Sequence, residues 1–332
     1  VEQLADLAIL EGAPQDTLCR LAELLETTEA TPGEVLGEEG RPGDHFWLVL
    51  SGELEVRRRA NSGSEEVLAR AGPGAILGEL ALLRHAPRSA TVVALTSCRL
   101  ALGGSQALEV LLSAPAVWAR LRRLASDRLA HDLVPVRATV ANGEPVWVRP
   151  LLPEDADAFY AEIRRMSADS LRRRFFSPGQ PSRALIDYLV HLDYVDHFAW
   201  VALGGPSGNE GMGSARFVRS AGQPLAEMAF GTAERHQGKG VATLLFGALG
   251  VAASAAGVST LFAHVLLDNE PMLRVFAKAG ASLRFDEPGV LVAEADPRAA
   301  AALLSPQLRA ELAQAVTDVV TAASLALTGP KA

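Results

Sequence analysis

Residues 225–247 read LAEMAFGTAERHQGKGVATLLFG, and the fold of the second half of the chain turns on them. The stretch opens as a short strand, crosses a loop and closes in an Ala/Leu helix. The loop holds Arg235-His236-Gln237-Gly238-Lys239-Gly240, the pattern R-x-x-G-x-G. Glycine lets the backbone take conformations closed to other residues and approach a ligand closely. A helix starting here aims unpaired N–H groups at an anion. A glycine loop alone is a weak signal. This one has strand-forming residues before it, a helix after it, and Asn269 downstream in VLLDNEPMLRVFAKAGA.

Composition bounds the rest. A chain of 332 residues is long enough for two domains with separate cores. Hydrophobic residues make up 49% and charged residues 21%, as in globular proteins. The formal net charge of −8 argues against a nucleic-acid partner, whose phosphates call for a basic face. The two cysteines, Cys19 and Cys98, show neither a C-x-x-C pair nor metal-ligand spacing, so no metal is expected. That usage fits a reducing cytoplasm. No apolar run approaches the ~18 residues of a membrane span. The opening residues lack the basic-then-apolar order of a signal peptide. A cytoplasmic protein without membrane partners is expected.

From Trp147 strands and helices alternate: VWVRPL, a helix over 155–165, another over 182–192, then strands HFAWVAL, GMGSARFVR and PLAEMAFGT. The glycine loop leads into a helix ending near 256, followed by strand STLFAHVL, a helix over 270–279 and strand VLVAEA. This order is α/β with a mixed sheet. Together with the loop and Asn269 it resembles the GNAT acetyltransferases. Residues 166–176, MSADSLRRRFF, are similar to a segment of bacterial protein-acetylating members. Read from the residues alone, that segment is a cationic helix face with Leu171, Phe175 and Phe176 in the core.

The resemblance implies direct transfer of acetyl from acetyl-CoA to an amine. It implies that the backbone of Ala229, Phe230 and Gly231 pairs with the pantetheine arm. The amides of Gln237, Gly238, Lys239, Gly240, Val241 and Ala242 would hold the pyrophosphate, and Asn269 would touch the cofactor. The Lys239 side chain either neutralises phosphate or is an ordinary surface lysine.

The chemistry also needs a base, because an alkylammonium with a pKa near ~10.4 cannot attack until deprotonated. Glu227 lies on the strand among apolar residues, where desolvation makes a carboxylate a better proton acceptor. Glu234 lies on the loop beside Arg235 and suits a solvated role. The histone-acetylating members place a glutamate on this strand in an A-E-[IV]-x-F motif, to which Ala226-Glu227-Met228-Ala229-Phe230 is similar. Glu227 is therefore the expected catalytic residue. Many members also carry a tyrosine seven positions after the asparagine, as proton donor to the leaving thiolate. Here that position is Phe276, and Tyr160, Tyr188 and Tyr194 all lie upstream, so no general acid is assigned.

The first half reads differently. After helical spacing over residues 4–30, short apolar stretches recur between Gly and Pro, the pattern of a β barrel or jelly roll. Within them stands Gly78-Glu79-Leu80-Ala81-Leu82, with Arg88-Ser89-Ala90-Thr91 downstream. Backbone N–H groups and Arg88 suit a phosphate, while Glu79 suits sugar hydroxyls. Phosphate and ribose together imply a nucleotide. The segment resembles the phosphate-binding cassette of cyclic-nucleotide-binding domains, over roughly residues 15–130. On that resemblance Glu79 holds the ribose 2′-hydroxyl. Gly78, Leu80, Ala81, Arg88 and Ser89 surround the cyclic phosphate, and Arg128, on a helix over 116–133, touches the purine of cAMP.

Pro135, Asn142-Gly143 and Pro145 mark the join, with a hairpin expected about Asn142-Gly143. The organisation read here is a regulatory jelly roll over 1–134, a linker over 135–146, a GNAT domain over 147–300 and a C-terminal amphipathic helix over 301–332. Leu308, Leu312, Val316, Val319 and Ala323 make one apolar stripe of that helix, which either packs or acts as a lid. Taken whole, the chain resembles actinobacterial cyclic-nucleotide-regulated protein lysine acetyltransferases. The resemblance implies lysines of proteins such as acyl-adenylating enzymes as acceptors. A small-molecule amine acceptor and a non-catalytic cyclic-nucleotide/CoA sensor are the alternatives.

Overall fold

The computed structural model describes residues 2–59, 65–177, 179–205 and 208–325. They form two compact units, one built on Val1–Ala125 and one on Ser126–Thr321. Helix Pro115–Asp132 contains the division.

The first unit has strands β1 (Glu26–Ala30), β2 (Val35–Gly37), β3 (Phe46–Ser51), β4 (Leu54–Arg59), β5 (Glu65–Ala71), β6 (Ile76–Leu77), β7 (Thr91–Ala94) and β8 (Cys98–Gly103). They make two four-stranded sheets, ordered β1-β8-β3-β6 and β2-β7-β4-β5. One core serves both: Trp47, Val49, Leu77 and Leu100 from the first sheet meet Leu54, Val92 and Ala94 from the second. Short strands bearing one apolar face each have no other way to bury it. Gly52, at φ 89°, makes the β3–β4 turn where a Cβ would fall 2.5 Å from the Ser97 carbonyl oxygen.

The second unit is one eight-stranded sheet, ordered β15-β16-β14-β13-β12-β11-β10-β9. Its strands are β9 (Val136–Thr139), β10 (Pro145–Pro150), β11 (His197–Gly204), β12 (Glu210–Val218), β13 (Leu225–Thr232), β14 (Thr260–Leu266), β15 (Ser282–Glu287) and β16 (Val290–Ala295). Neighbours pair antiparallel except β13 and β14, which helix Val241–Ala255 connects as a crossover. That helix is apolar all round and buried. On one side Gly247 admits Leu304 and Gly250 admits the backbone at Pro297, each closer than a Cβ would allow. On the other, Trp200 donates its indole N–H to the Ala248 carbonyl at 2.9 Å.

The hairpin expected about Asn142-Gly143 is present, with Gly143 at φ 85° and β9 paired to β10. It joins the sheet as the outermost two strands on that side. Strand β15 was not legible in the sequence, because every residue of SLRFDE is exposed and no buried face imposes alternation. Phe176 also departs from expectation. It is 45% exposed in a left-handed conformation (φ 55°) that ends helix Ala168–Phe175, so only Leu171 of the three expected core residues is fully buried. The C-terminal helix runs Pro306–Leu325, with Leu312, Val316 and Val319 buried. The stretch 326–332 and the Ala323 side chain lie outside the described residues.

Candidate active site

The sheet opens beside Glu227. Strands β13 and β14 are in register at Leu225↔Thr260, Ala226↔Leu261 and Glu227↔Phe262, and their pairing ends there. The opposite edge of β13 stays bonded to β12 as far as Gly213↔Thr232. Past Glu227 the β14-side edge of Ala229–Gly231 can therefore accept an extended ligand as it would an added strand. Ala226, Met228 and Phe230 point into the core, where Phe230 stacks on Phe246 with ring centres 5.2 Å apart. Glu227 lies on the other face.

Glu227 is exposed. The burial among apolar strand residues expected from the sequence is not found: the strand's apolar side is turned to the core, and Glu227 alternates away from it. What stands near it is charge. Arg174, on helix Ala168–Phe175, sits over Gly231, its Cδ 3.5 Å from where a Cβ would be. Burial depresses the Arg174 guanidinium to about 10, against the raising effect of Glu227. Arg216 lies deeper and is held at about 9 by burial and by Arg174. Arg174 had been readable only as part of a cationic helix face, since nothing in LRRRFF distinguishes one arginine from its neighbours.

The competing carboxylate is engaged elsewhere. Glu234 accepts the Ser167 hydroxyl at 2.6 Å and the Ser167 amide at 2.8 Å, ahead of helix Ala168–Phe175. Hydrogen bonds from Ser167 and Ser170 hold its carboxyl below the usual range.

The glycine loop is braced from both sides. Arg235 bonds Glu210 at 2.6 Å, Glu162 at 2.7 Å and the Gly211 carbonyl at 3.2 Å. His236 is buried against Glu210 at 3.1 Å. Gly238 (φ 75°) and Gly240 (φ 97°) take left-handed conformations, and Gly240 starts helix Val241–Ala255. The Ala141 amide, from the β9–β10 turn, donates to the Lys239 carbonyl at 3.0 Å. Lys239 pairs with Glu144 at 3.2 Å, so its ammonium has a carboxylate partner within the protein. Gln237 precedes the glycines, and Val241 and Ala242 open the helix, where first-turn amides lack intrahelical partners.

Asn269 is buried and caps helix Glu270–Lys278, accepting the Met272 amide at 3.4 Å. Phe276 is buried in an aromatic trio, 5.5 Å from Phe230 and 5.6 Å from Phe246. That apolar nest explains why no hydroxyl stands there. Tyr194 is fully buried and donates to the Leu151 carbonyl, and Tyr188 is 54% exposed. A cavity of about 600 Å³ adjoins these elements, lined among others by Phe159, Ile163, Met166, Arg174, Gly231 and Arg235.

In the first unit, Gly78 (φ 82°) leads into helix Glu79–Arg84, which buries Glu79, Leu80 and Ala81. The Arg88 guanidinium lies 4.3 Å over the Trp47 ring and donates to the Gly78 carbonyl at 3.2 Å. Burial lowers its pKa, against the opposing charges of Asp44 and Glu79. Glycine makes this placement possible: a Cβ on Gly78 would fall 2.2 Å from Arg88 Nη1, and one on Gly43 3.0 Å from Arg88 Nε. Ser89 is exposed beside it. Arg128 is half-buried on helix Pro115–Asp132, within the residues of the second unit.

Comparison with known proteins follows the same division. A cyclic nucleotide-binding domain profile matches residues 27–114, and an acetyltransferase (GNAT) domain profile matches residues 146–282. The acetyltransferase Pat of Mycolicibacterium smegmatis is 38% identical over 96% of this chain and 97% of its own length. The structure of a cAMP-binding acyltransferase from Mycobacterium smegmatis is similar, with 35% identity, 97% of both chains covered and a TM-score of 0.50. A CRP-like cAMP-activated global transcriptional regulator of Mycobacterium tuberculosis is 31% identical over only 30% of this chain. Similarity that runs through both units, with the cassette and the glycine loop each inside its matching domain, places the chain in the family of GNAT acetyltransferases that carry a cyclic-nucleotide-binding domain.

Proposed function

We propose that the chain is a cAMP-regulated protein lysine acetyltransferase, moving acetyl from acetyl-CoA to the Nε of lysines on proteins such as acyl-adenylating enzymes. The observation that carries this reading is the opening of the sheet at Glu227, the last β13 residue paired to β14. A thioester bound along Ala229, Phe230 and Gly231, with its pyrophosphate on the amides of Gln237–Ala242, would reach back toward that carboxylate. Asn269 would contact the same cofactor.

Glu227 takes a proton from the acceptor ammonium, directly or through one water, and the freed amine attacks the thioester carbon. Exposure suits this role, since the base must meet a lysine arriving from another protein. Arg174 stands within electrostatic reach of Glu227, whose charge raises the pKa of the guanidinium against the effect of burial. Collapse of the tetrahedral adduct expels the CoA thiolate, which takes its proton from solvent because Phe276 has none to give. In the first unit Glu79 would hold the ribose, and Arg88 and Ser89, with the Leu80 and Ala81 amides after Gly78, the cyclic phosphate. Arg128 would contact the purine, and helix Pro306–Leu325 would serve either as a packing helix or as a lid. The cytoplasmic location and the absence of nucleic-acid and membrane partners belong to the same proposal. Among the described residues no helix is long and apolar enough to cross a membrane.

The test is acetylation of lysine-bearing proteins by the full chain with acetyl-CoA, with and without cAMP or cGMP. Protein acetylation that changes with cAMP supports the reading, and no acetyl transfer to any amine overturns it. The cavity of about 600 Å³ favours a second reading, a small-molecule amine acceptor. Transfer to free amines but not to proteins would establish that one instead.

A further inference from the structure

The sheet face that carries Glu227 also gathers positive charge. Glu227, Ala229 and Gly231 of β13 stand opposite Val218, Arg216 and Ser214 of β12, so all six lie on that face. Arg216 is 3% exposed, and its Nε and Nη2 are buried without a hydrogen-bond partner among the described residues. Its Nη1 donates to the Leu189 carbonyl and lies 3.4 Å from His197 Nε2. The guanidinium carbon is 5.5 Å from the centre of the Phe159 ring, and Phe159 belongs to the wall of the cavity of about 600 Å³. Arg174 is in the same wall, above Gly231. Neither arginine has a carboxylate within 4.0 Å among the described residues.

We propose that Arg174, with Arg216 behind it, forms a carboxylate subsite of this cavity, selecting a substrate that brings a free carboxylate. The carboxylate would end a dicarboxylic acyl group on the thioester, or stand on an acidic group beside the acceptor amine. The inference rests on the reading of β13 as the thioester strand, and it names the class of substrate carried there.

Charge is the first argument. The carboxylates of the wall are already matched: Asp155 pairs with Arg149 at 2.7 Å, and Glu162 and Glu210 pair with Arg235 at 2.7 and 2.6 Å. Arg174 is left over. Burial and the charge of Arg174 both work against the charged form of Arg216. Desolvated like charges side by side are costly without a counter-ion, and a ligand carboxylate supplies one. Glu227 acts on Arg174 from beyond ion-pair distance and sets one charge against two. Space is the second argument. An acetyl group beside Gly231 would fill little of a cavity this size, which falls within the roughly 300–1,000 Å³ of small-molecule sites. Phe159, Ile163 and Met166 give the wall an apolar stretch suited to methylenes between a reacting carbon and a carboxylate. The transfer itself is unaltered. The amine nitrogen bonds the acyl carbon, the C–S bond breaks, Glu227 takes the amine proton and the thiolate takes one from solvent.

The test is steady-state transfer by the full chain with two matched pairs of substrates. The donor pair is succinyl-CoA and butyryl-CoA with one lysine peptide. The acceptor pair, with acetyl-CoA, is a peptide bearing Glu beside the lysine and the same peptide bearing Gln. In one pair the carboxylated member should have a kcat/KM about tenfold or more above its neutral partner, the range of a hydrogen bond to a charged group. The pair that shows the preference identifies the source of the carboxylate. Arg174→Gln should cut that ratio by roughly tenfold, and Arg174→Lys should keep part of it. Ratios near one in both pairs of the wild-type chain overturn the subsite, whether or not the variants fold. A folded Arg174→Gln enzyme with the wild-type ratio, losing equally on both members, overturns it too and makes Arg174 a packing residue. No transfer from any donor to any acceptor overturns the thioester reading of β13 and the subsite with it.

Discussion

The cassette around Arg88 and the loop around Gly240 both turn on glycines in left-handed conformations, and they place positive charge in opposite ways. In the cassette a guanidinium is sunk against Trp47, with Gly78 and Gly43 cleared away to admit it. In the loop the conspicuous cations are braces: Arg235 and Lys239 are paired with Glu210, Glu162 and Glu144. A regulatory nucleotide has to be held, and a desolvated charge holds strongly. A co-substrate has to leave every cycle, and under the proposed function backbone amides on a stiff frame would position it without trapping it.

Four measurements press on that contrast, in falling order of expected effect. Glu227→Gln should lower kcat for acetyl transfer by about 10²–10⁴-fold and leave acetyl-CoA affinity within about twofold. Full activity of this variant across the alkaline range would remove Glu227 as base.

Acid should strike the catalytic unit through His197, which burial and then Arg216 depress to about 4. Besides Arg216, Asp193 and Tyr188 face this ring. The unfolded chain takes up this proton near 6.5, so stability is complete above that pH and is lost as pH falls toward 4. The loss should reach at most about 3 kcal/mol and should flatten in His197→Gln, as read by denaturant melts along the pH series. Parallel slopes in the two proteins would show that His197 is not the group responsible.

Arg88→Ala should weaken cAMP binding by about 2–3 kcal/mol, roughly 30-fold to 160-fold, measured by calorimetry. Retained affinity would make Arg88 a packing residue and erase the contrast with the loop. Gly240→Ala forces a side chain into φ 97° and to 3.0 Å from the Ala141 Cβ. It should raise the acetyl-CoA dissociation constant by about tenfold, corresponding to about 1–2 kcal/mol of backbone strain. An unchanged constant would mean the cofactor does not read the loop's backbone.

The sequence made some of this legible because the signals were local. Glycines at 238 and 240 foretold backbone turns, and both take positive φ. Strand and helix periodicity gave the succession of elements along the chain around β13. What stayed hidden depends on which distant residues meet. Glu227 was expected among apolar neighbours, but strand alternation sends Ala226, Met228 and Phe230 into the core and Glu227 out. The role of Glu234 follows from Ser167, far away in the chain. Arg174 and Arg216 are ordinary surface residues by composition, and only the packing of helix Ala168–Phe175 on β13 brings the former to the site. Strand β15 lacks a buried face to announce it.

Composition draws a natural cut at Trp147, where the linker pattern gives way to alternating strands and helices. The sheet disagrees with such a cut. Val146 and Val148 are fully buried on β10, and β9 covers the edge of that strand. A catalytic fragment begun at Trp147 would lose β9 and bare an edge ready to pair with other chains. It would also lose the Ala141 amide and the Glu144 carboxylate that hold Lys239. Such a fragment should aggregate and bind its cofactor poorly, for reasons unrelated to regulation. One begun ahead of Val136 keeps the hairpin, and any silence it showed would speak about the enzyme rather than about the scissors.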